Sequence, residues 1–373
     1  ADLAGIAQPW RPLTLSPSRT LNSLFSVVVP ITAIMLYLNL DKTKQRSAIA
    51  IVIGLATFSA LWAILQLAGP SRGPLYLYNI TNEGGAVGLF ANRNHQSFLL
   101  ATTIGMLGWF ATSSAPAERF ASVTLYASIS VIFVFVPLIF ITGSRAGLAL
   151  MAPAIAVATM LAYLGRYSKE AMVLKESPRK RKKAYVSSRK IVLLVSITSV
   201  LAVAFLSIYF SRSLAFDRLF GNGEPAELRN LIRPTLIRMM SDYFPWGSGF
   251  GTFEHVYKIY EPQELLRPTY LNQAHNDWLQ FPIEGGAPAI FIGLAAIIWF
   301  IVKLGKIFVN WGRSHYTKYT ALMAAFVVLC LLTASVSDYP LRVPSLIAIF
   351  GVMVCIFQDA VISVGRKQLK AAS

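Results

Sequence analysis

Nine stretches of this chain contain no Asp, Glu, Lys or Arg: residues 20–40, 47–71, 94–117, 120–144, 146–165, 191–211, 285–302, 319–337 and 343–358. They are 21, 25, 24, 25, 20, 21, 18, 19 and 16 residues long. A helix needs about 20 apolar residues to cross a bilayer, and tilt or a thin membrane tolerates a few fewer. Charge is scarce overall as well, at 14% of residues against roughly 25% in a soluble domain. These facts exclude a soluble enzyme, a DNA-binding protein and a disulfide scaffold. The expected fold class is all-α: a polytopic helical membrane protein with nine predicted spans. Cys330 and Cys355 both fall inside apolar stretches and show no metal-ligand or disulfide spacing.

The formal net charge of +17 would suit nucleic acid, but its placement points elsewhere. Ten basic residues crowd into 166–190, between two spans. The positive-inside rule places that loop in the cytoplasm, facing membrane lipids, and nucleic acid is not an expected partner. Alternating the spans from there assigns 21 of the 34 Lys and Arg to inner segments and 13 to far longer outer ones. Residue 1 then lies outside and residue 373 inside. An outside start without a signal-peptide pattern calls for an odd number of spans upstream of Ala1. Three regions are expected: spans one to six over 1–211, an outer loop domain over 212–284, and spans seven to nine over 285–373.

The 73-residue outer loop is too long for a plain connector and holds nine of the 17 carboxylates. Leu228, Leu231, Ile232, Leu236, Met239 and Met240 recur at helical spacing, which predicts an amphipathic helix over 226–242. Pro245, Gly247, Gly249 and Gly251 then break it. A second helix is expected over about 273–284, leading into the seventh span.

Four polar clusters share the outer side under this topology, although none was used to build it. They are Asn92-Arg93-Asn94-His95, Thr142-Gly143-Ser144-Arg145-Ala146-Gly147, the Arg229-Arg233-Arg238 row, and His275-Asn276-Asp277-Trp278. Singly, each has an ordinary explanation: helix capping, a snorkelling arginine, a surface charge, a satisfied histidine. Together they suit a diphosphate, because guanidiniums bind its oxygens in bidentate fashion, with each charge-assisted bond contributing about 1.5–3 kcal/mol. A nearby imidazole can take a proton from a hydroxyl. The combination reads as group transfer from a lipid-linked diphosphate. No acidic pair of metal-binding type accompanies the arginines, so no metal and no cofactor are expected.

With these pieces in view, the chain resembles the bacterial O-antigen ligase and O-antigen polymerase superfamily. The resemblance rests on Gly88–His95, on Thr142–Gly147, on Arg229 followed by Asp242–Gly251, and on Ala274–Gln280 followed by Glu284-Gly285-Gly286. It implies a fold of the GT-C membrane glycosyltransferase type, with around a dozen helices, three of them preceding this chain. It also implies an inner-membrane enzyme with its active site facing the periplasm. That enzyme would transfer a glycan from an undecaprenyl-diphosphate donor to a glycan, lipid A-core or protein acceptor. Carried over, Arg145 and Arg229 would hold the donor diphosphate and His275 would serve as base, with inversion at the anomeric carbon. Arg93, Asn94, His95, Ser144, Arg233, Asn276 and Asp277 are the expected substrate-binding residues. Arg233 stands where the family often has an aromatic residue. The Asn-Arg-Asn-His piece is closer to exopolysaccharide-type members than to lipopolysaccharide ligases. One rival is a transporter or flippase of an anionic lipid-linked saccharide, which would need ionisable residues or broken helices near mid-membrane. The charge-free stretches count against it. A non-catalytic scaffold would need no convergent arginine and histidine.

Overall fold

The computed structural model describes residues 12–113, 118–176, 224–266, 271–309 and 315–372. Among the described residues there is no strand. The helices are α1 (Pro17–Ser26), α2 (Val28–Leu38), α3 (Lys42–Ala68), α4 (Arg93–Ser113), α5 (Glu118–Thr142), α6 (Arg145–Glu176), α7 (Glu224–Asp242), α8 (Phe253–Tyr260), α9 (Asp277–Val309), α10 (His315–Ala334) and α11 (Pro344–Ala372). Short 3-10 turns lie at Gln263–Leu265 and Pro340–Arg342.

Among the described residues, seven segments are long and apolar enough to cross a membrane: Pro17–Leu38, Ser47–Ala68, Val123–Thr142, Arg145–Gly165, Asp277–Val309, Thr317–Ala334 and Pro344–Ser363. The chain is a polytopic helical membrane protein. Seven of the nine expected spans are found among the described residues, and the count of nine is not confirmed. The stretch 191–211 lies outside the described residues, and of 94–117 the described part, 94–113, belongs to a helix that falls short in apolar character. The reason is where α4 sits. It packs on α3, α5, α6 and α10, and from His95 to Trp109 its side chains are buried. A helix enclosed by others needs no lipid-facing apolar surface. Thr102 and Thr103 satisfy their hydroxyls on the carbonyls of Phe98 and Leu99.

The chain divides into two compact units. The bundle unit comprises 30–223, 301–334 and 340–373. Here α4 and α6 approach closely: a Cβ on Gly108 would run into the backbone of Ala158. Small residues at a crossing let helices gain van der Waals contact that no hydrophobic effect supplies inside lipid. Trp109 donates from Nε1 to Thr320 Oγ1 of α10 at 2.9 Å.

The loop unit comprises 1–29, 224–300 and 335–339. Its core is Ile232, Leu236 and Met239 of α7, Phe253, Val256 and Tyr257 of α8, then Ala274 and Ile283. The 232, 236, 239 spacing is one helical face, as the sequence pattern required. Leu231, counted on that face from sequence, is 51% exposed.

In α9 the helix breaks at Gly286 (φ 58°, ψ −150°), which frees two carbonyls. Glu284 O would look to residue 288 for its donor, but that is Pro288, which has no N–H. The segment after α7 fills the gap. Ser248 N donates to Ile283 O at 3.0 Å, Gly249 N donates to Glu284 O at 2.9 Å, and Ala287 N donates to Pro245 O at 2.7 Å. This exchange needs backbone against backbone. A Cβ on Gly247 would strike Glu284 O, and one on Gly286 would strike Pro245 O. The Pro-Trp-Gly-Ser-Gly run and the Glu-Gly-Gly run are therefore two halves of one joint.

Candidate functional site

In the bundle unit, the starts of α4 and α6 bring two of the sequence clusters together. Asn92 Oδ1 accepts from Asn94 N at 2.8 Å and begins α4, so this residue is a side-chain cap. Asn82 Oδ1 accepts from Arg93 N at 3.0 Å, which ties the preceding loop to the same helix end. His95 is 4% exposed, with Phe90 and Phe98 rings 6.2 and 6.4 Å from its own. Ser144 caps α6 through its Oγ, which accepts from Gly147 N at 3.1 Å. Gly143 turns the chain with φ 63°, a conformation that costs glycine little. A Cβ on Gly147 would collide with Ser97 Oγ, so the two helix starts lie in direct apposition.

Arg145 is the first residue of α6, and its side chain is exposed. Arg93 and Asn94 are half-buried at the start of α4. The result is two helix N-termini, each carrying partial positive charge, with a guanidinium at each. Such ends bind anions through backbone N–H groups as well as charge.

In the loop unit, the His275 cluster is built by a cap. Asn276 Oδ1 accepts from Leu279 N at 3.1 Å and starts α9. The expected helix over 273–284 therefore begins at Asp277. One residue before the cap, His275 has φ 49°, uncommon for a residue with a Cβ and found where surroundings enforce it. Its Nδ1 lies 3.0 Å from Asp338 Oδ1, and the Asp338 carboxylate is fully buried. Tyr339 N donates to the same oxygen at 3.0 Å, and the Tyr339 ring meets the imidazole edge-on at 4.9 Å. With Nδ1–H given to a carboxylate, Nε2 keeps its lone pair available. The His275 side chain remains 23% exposed, enough for a substrate hydroxyl to reach it.

Asp277, 8% exposed, is held by Ser335 twice: its N donates to Ser335 O at 2.9 Å, and Ser335 Oγ donates to its Oδ2 at 3.1 Å. Gln280 and Glu284 continue the same helix face. Gln280 Oε1 accepts from Ala274 N at 2.8 Å, and its Nε2 donates to Glu284 Oε1 at 3.2 Å. Glu284 Oε1 also accepts from Phe253 N at 3.3 Å, placing a carboxylate at the start of α8. Asn276, Asp277 and Glu284 thus hold the scaffold around His275.

The backbone of Arg229 lies in α7, and its side chain is outside those described. Arg233 is exposed on α7. The bundle unit thus gathers Arg93, Asn94, His95, Ser144 and Arg145, and the loop unit gathers His275, Asn276 and Asp277. Sequence reasoning missed Asp338 as a partner of His275. One signal pointed to it: Asp338 is the only carboxylate in the sequence from 285 to 358. Among the described residues no three His, Cys, Asp or Glu side chains converge as a metal site.

Fold and site together define a multi-pass membrane protein with arginine-bearing helix starts in one unit and a histidine–aspartate pair in the other. The family model described as O-antigen ligase matches residues 129–294, so this part of the chain is similar to that family. The match runs from α5 through Arg145, Arg229 and His275 to the joint at Gly286. It supports a glycosyltransferase-type activity at the membrane. No curated protein matches the chain.

Proposed function

We propose that this protein transfers a glycan from undecaprenyl diphosphate to an acceptor on the periplasmic face of the inner membrane. The acceptor would be another glycan, lipid A-core or a protein side chain. The observation that carries the proposal is the His275–Asp338 pair at 3.0 Å, with the carboxylate buried and the imidazole reachable. The arrangement orients Nε2 toward an incoming hydroxyl. His275 removes the acceptor proton as the oxygen attacks the anomeric carbon, the bond to the diphosphate oxygen breaks, and the configuration inverts.

The leaving polyprenyl diphosphate departs as an anion. Arg145 at the start of α6, with Arg93 at the adjacent start of α4, supplies charge and N–H donors for it. Arg229 and Arg233 of α7 supply further cationic charge in the loop unit. Guanidinium forks fit phosphate oxygens in pairs, which gives direction as well as attraction. Asn94, His95 and Ser144 shape the surroundings of Arg93 and Arg145 in the bundle unit, while in the loop unit Asn276 and Asp277 fix the backbone that follows the base.

The test is product analysis. Purified protein is incubated with undecaprenyl-diphosphate glycan and each candidate acceptor, and the product is identified by mass spectrometry. Replacing Arg145, Arg229 or His275 with Ala should abolish transfer while the melting temperature stays within a few degrees. Full activity in the Arg145→Ala and His275→Ala proteins would defeat the assignment.

A further inference from the structure

The run from Tyr243 to Phe253 contains no charged residue, and three of its aromatic side chains are exposed. Phe244 is 58% exposed, Trp246 66% and Phe250 39%. Phe250 rests one side of its ring on Phe281 and Gly285 of α9, with ring centroids 5.6 Å apart, but the rest of the joint is made by backbone atoms and glycines and leaves Phe244 and Trp246 open.

Two ties fix where these rings lie in the loop unit. On one side, residues 245–249 exchange hydrogen bonds with 283–287 of α9, at the break where that helix becomes its apolar half. On the other side, Leu15 N donates to Ser248 O at 3.0 Å, and Thr20 Oγ1 donates to Phe250 O at 2.9 Å at the start of α1. Both helices belong to membrane spans, Asp277–Val309 and Pro17–Leu38, the two that bury least of themselves within the protein. Within two turns of the ties, both present large apolar side chains outward. These are Leu21, Leu24 and Phe25 on α1, and Phe291, Ile292 and Leu294 on α9. The exposed rings are thus continuous with the surface that faces hydrocarbon.

From this continuity we infer that Phe244, Trp246 and Phe250 form an aromatic foot seated in the headgroup–acyl boundary of the bilayer. The chemistry fits that partner. Tryptophan and aromatic residues concentrate at this boundary, where an apolar ring and a polar edge are both satisfied. The charged residues that flank the run are paired with polar partners. Arg19 pairs with Glu254 at 3.7 Å and donates to His255 at 3.1 Å, and Arg238 lies 3.7 Å from Asp242. The foot sets a height. From Gly286 to Asp277 runs about 13 Å of helix axis at 1.5 Å per residue, so His275 is carried just above the lipid headgroups. The inference needs no assumption about donor or acceptor.

Tryptophan quenching in vesicles tests it, using the full chain in bilayers containing dibrominated phosphatidylcholine. Subtracting the emission of the Trp246→Phe protein from that of the parent isolates Trp246. The difference signal should be blue-shifted, quenched more by bromines near the headgroup than by bromines deep in the chains, and indifferent to aqueous iodide. Quenching by iodide and not by bromolipid would show a water-facing ring and overturn the inference. Protection from both quenchers would show a protein partner instead, and overturn it equally. Moving the probe with Trp246→Phe/Phe244→Trp should report the same shallow depth, and a water-exposed reading there overturns the inference as well.

Discussion

Asp338 stands 63 positions from His275 in sequence and 3.0 Å from it in space. No local pattern links two residues so far apart, which is why the histidine was legible and its partner was not. The pairing makes a specific prediction. Asp338→Asn keeps the size of the side chain but removes its charge, so Nδ1 loses the acceptor-only carboxylate that fixes the tautomer. Turnover should fall about 10²-fold, within the usual contribution of a positioned acid or base, while the KM for the lipid-linked donor stays unchanged. Steady-state kinetics of glycan transfer separate the two terms, and a rise in KM at constant kcat would show that Asp338 serves binding instead. A companion variant uses the backbone. His275 sits at φ 49°, a conformation asparagine tolerates better than most residues. His275→Asn should therefore melt with the parent protein and transfer nothing. The sequence marked Ser144 and Asn276 for substrate, and the structure gives each a helix to cap.

At the scale of elements, helices with a long apolar face were readable and short ones were not. The amphipathic helix expected over 226–242 runs from Glu224 to Asp242. By contrast, α8 has only eight residues and one buried face of Phe253, Val256 and Tyr257, too short a period to register in sequence. It is held by its ends. Glu254 in its first turn accepts from Lys258 Nζ at 2.8 Å and meets Arg19 at 3.7 Å. The Lys258 hydrogen bond above all holds the Glu254 carboxyl below its ordinary value of 4.5. A depressed carboxylate stabilises the fold above its unfolded pKa, and that contribution is lost as pH falls through the lowered folded value. Glu254→Gln should therefore cost about 0.5 kcal/mol at neutral pH, and the gap to the parent should close under acid, measured by thermal melts across pH. The joint at Gly286 makes a sharper contrast. Gly286→Ala forces a Cβ into Pro245 O at a positive φ, and should cost about 3 kcal/mol or prevent folding. Gly293→Ala, on the same helix, meets nothing within 4 Å and should leave the melt unchanged or raise it. Equal effects at both positions would show that the break in α9 is not a fixed joint.

For the whole molecule, charge placement relative to helix ends decides which way the protein faces. The helix α6 starts at Arg145 and runs 32 residues, about 48 Å, toward the basic run 166–190. The helix α9 starts at Asp277, next to His275, and carries Lys303 and Lys306 toward its far end. In α11, Arg366, Lys367 and Lys370 again gather at the end. Each long helix therefore separates a site-bearing or sparsely charged end from a basic one by more than the hydrocarbon thickness. Each Lys or Arg near an anionic leaflet contributes about 1 kcal/mol, so ten of them in 166–190 outweigh the scattered charges elsewhere. From this charge placement we propose one orientation, with the basic ends in the cytoplasm. Cysteine labelling checks it in cells that express the full chain. Asn272→Cys, exposed three residues before His275, should react with a membrane-impermeant maleimide on intact spheroplasts. Ser187→Cys, inside the basic run, should react only after the membrane is opened. The unsubstituted chain, with Cys330 buried and Cys355 half-buried, sets the background. The reverse pattern would put the proposed base in the cytoplasm, where a glycan already carried across the membrane could not reach it, and both the orientation and the proposed transfer would fall together.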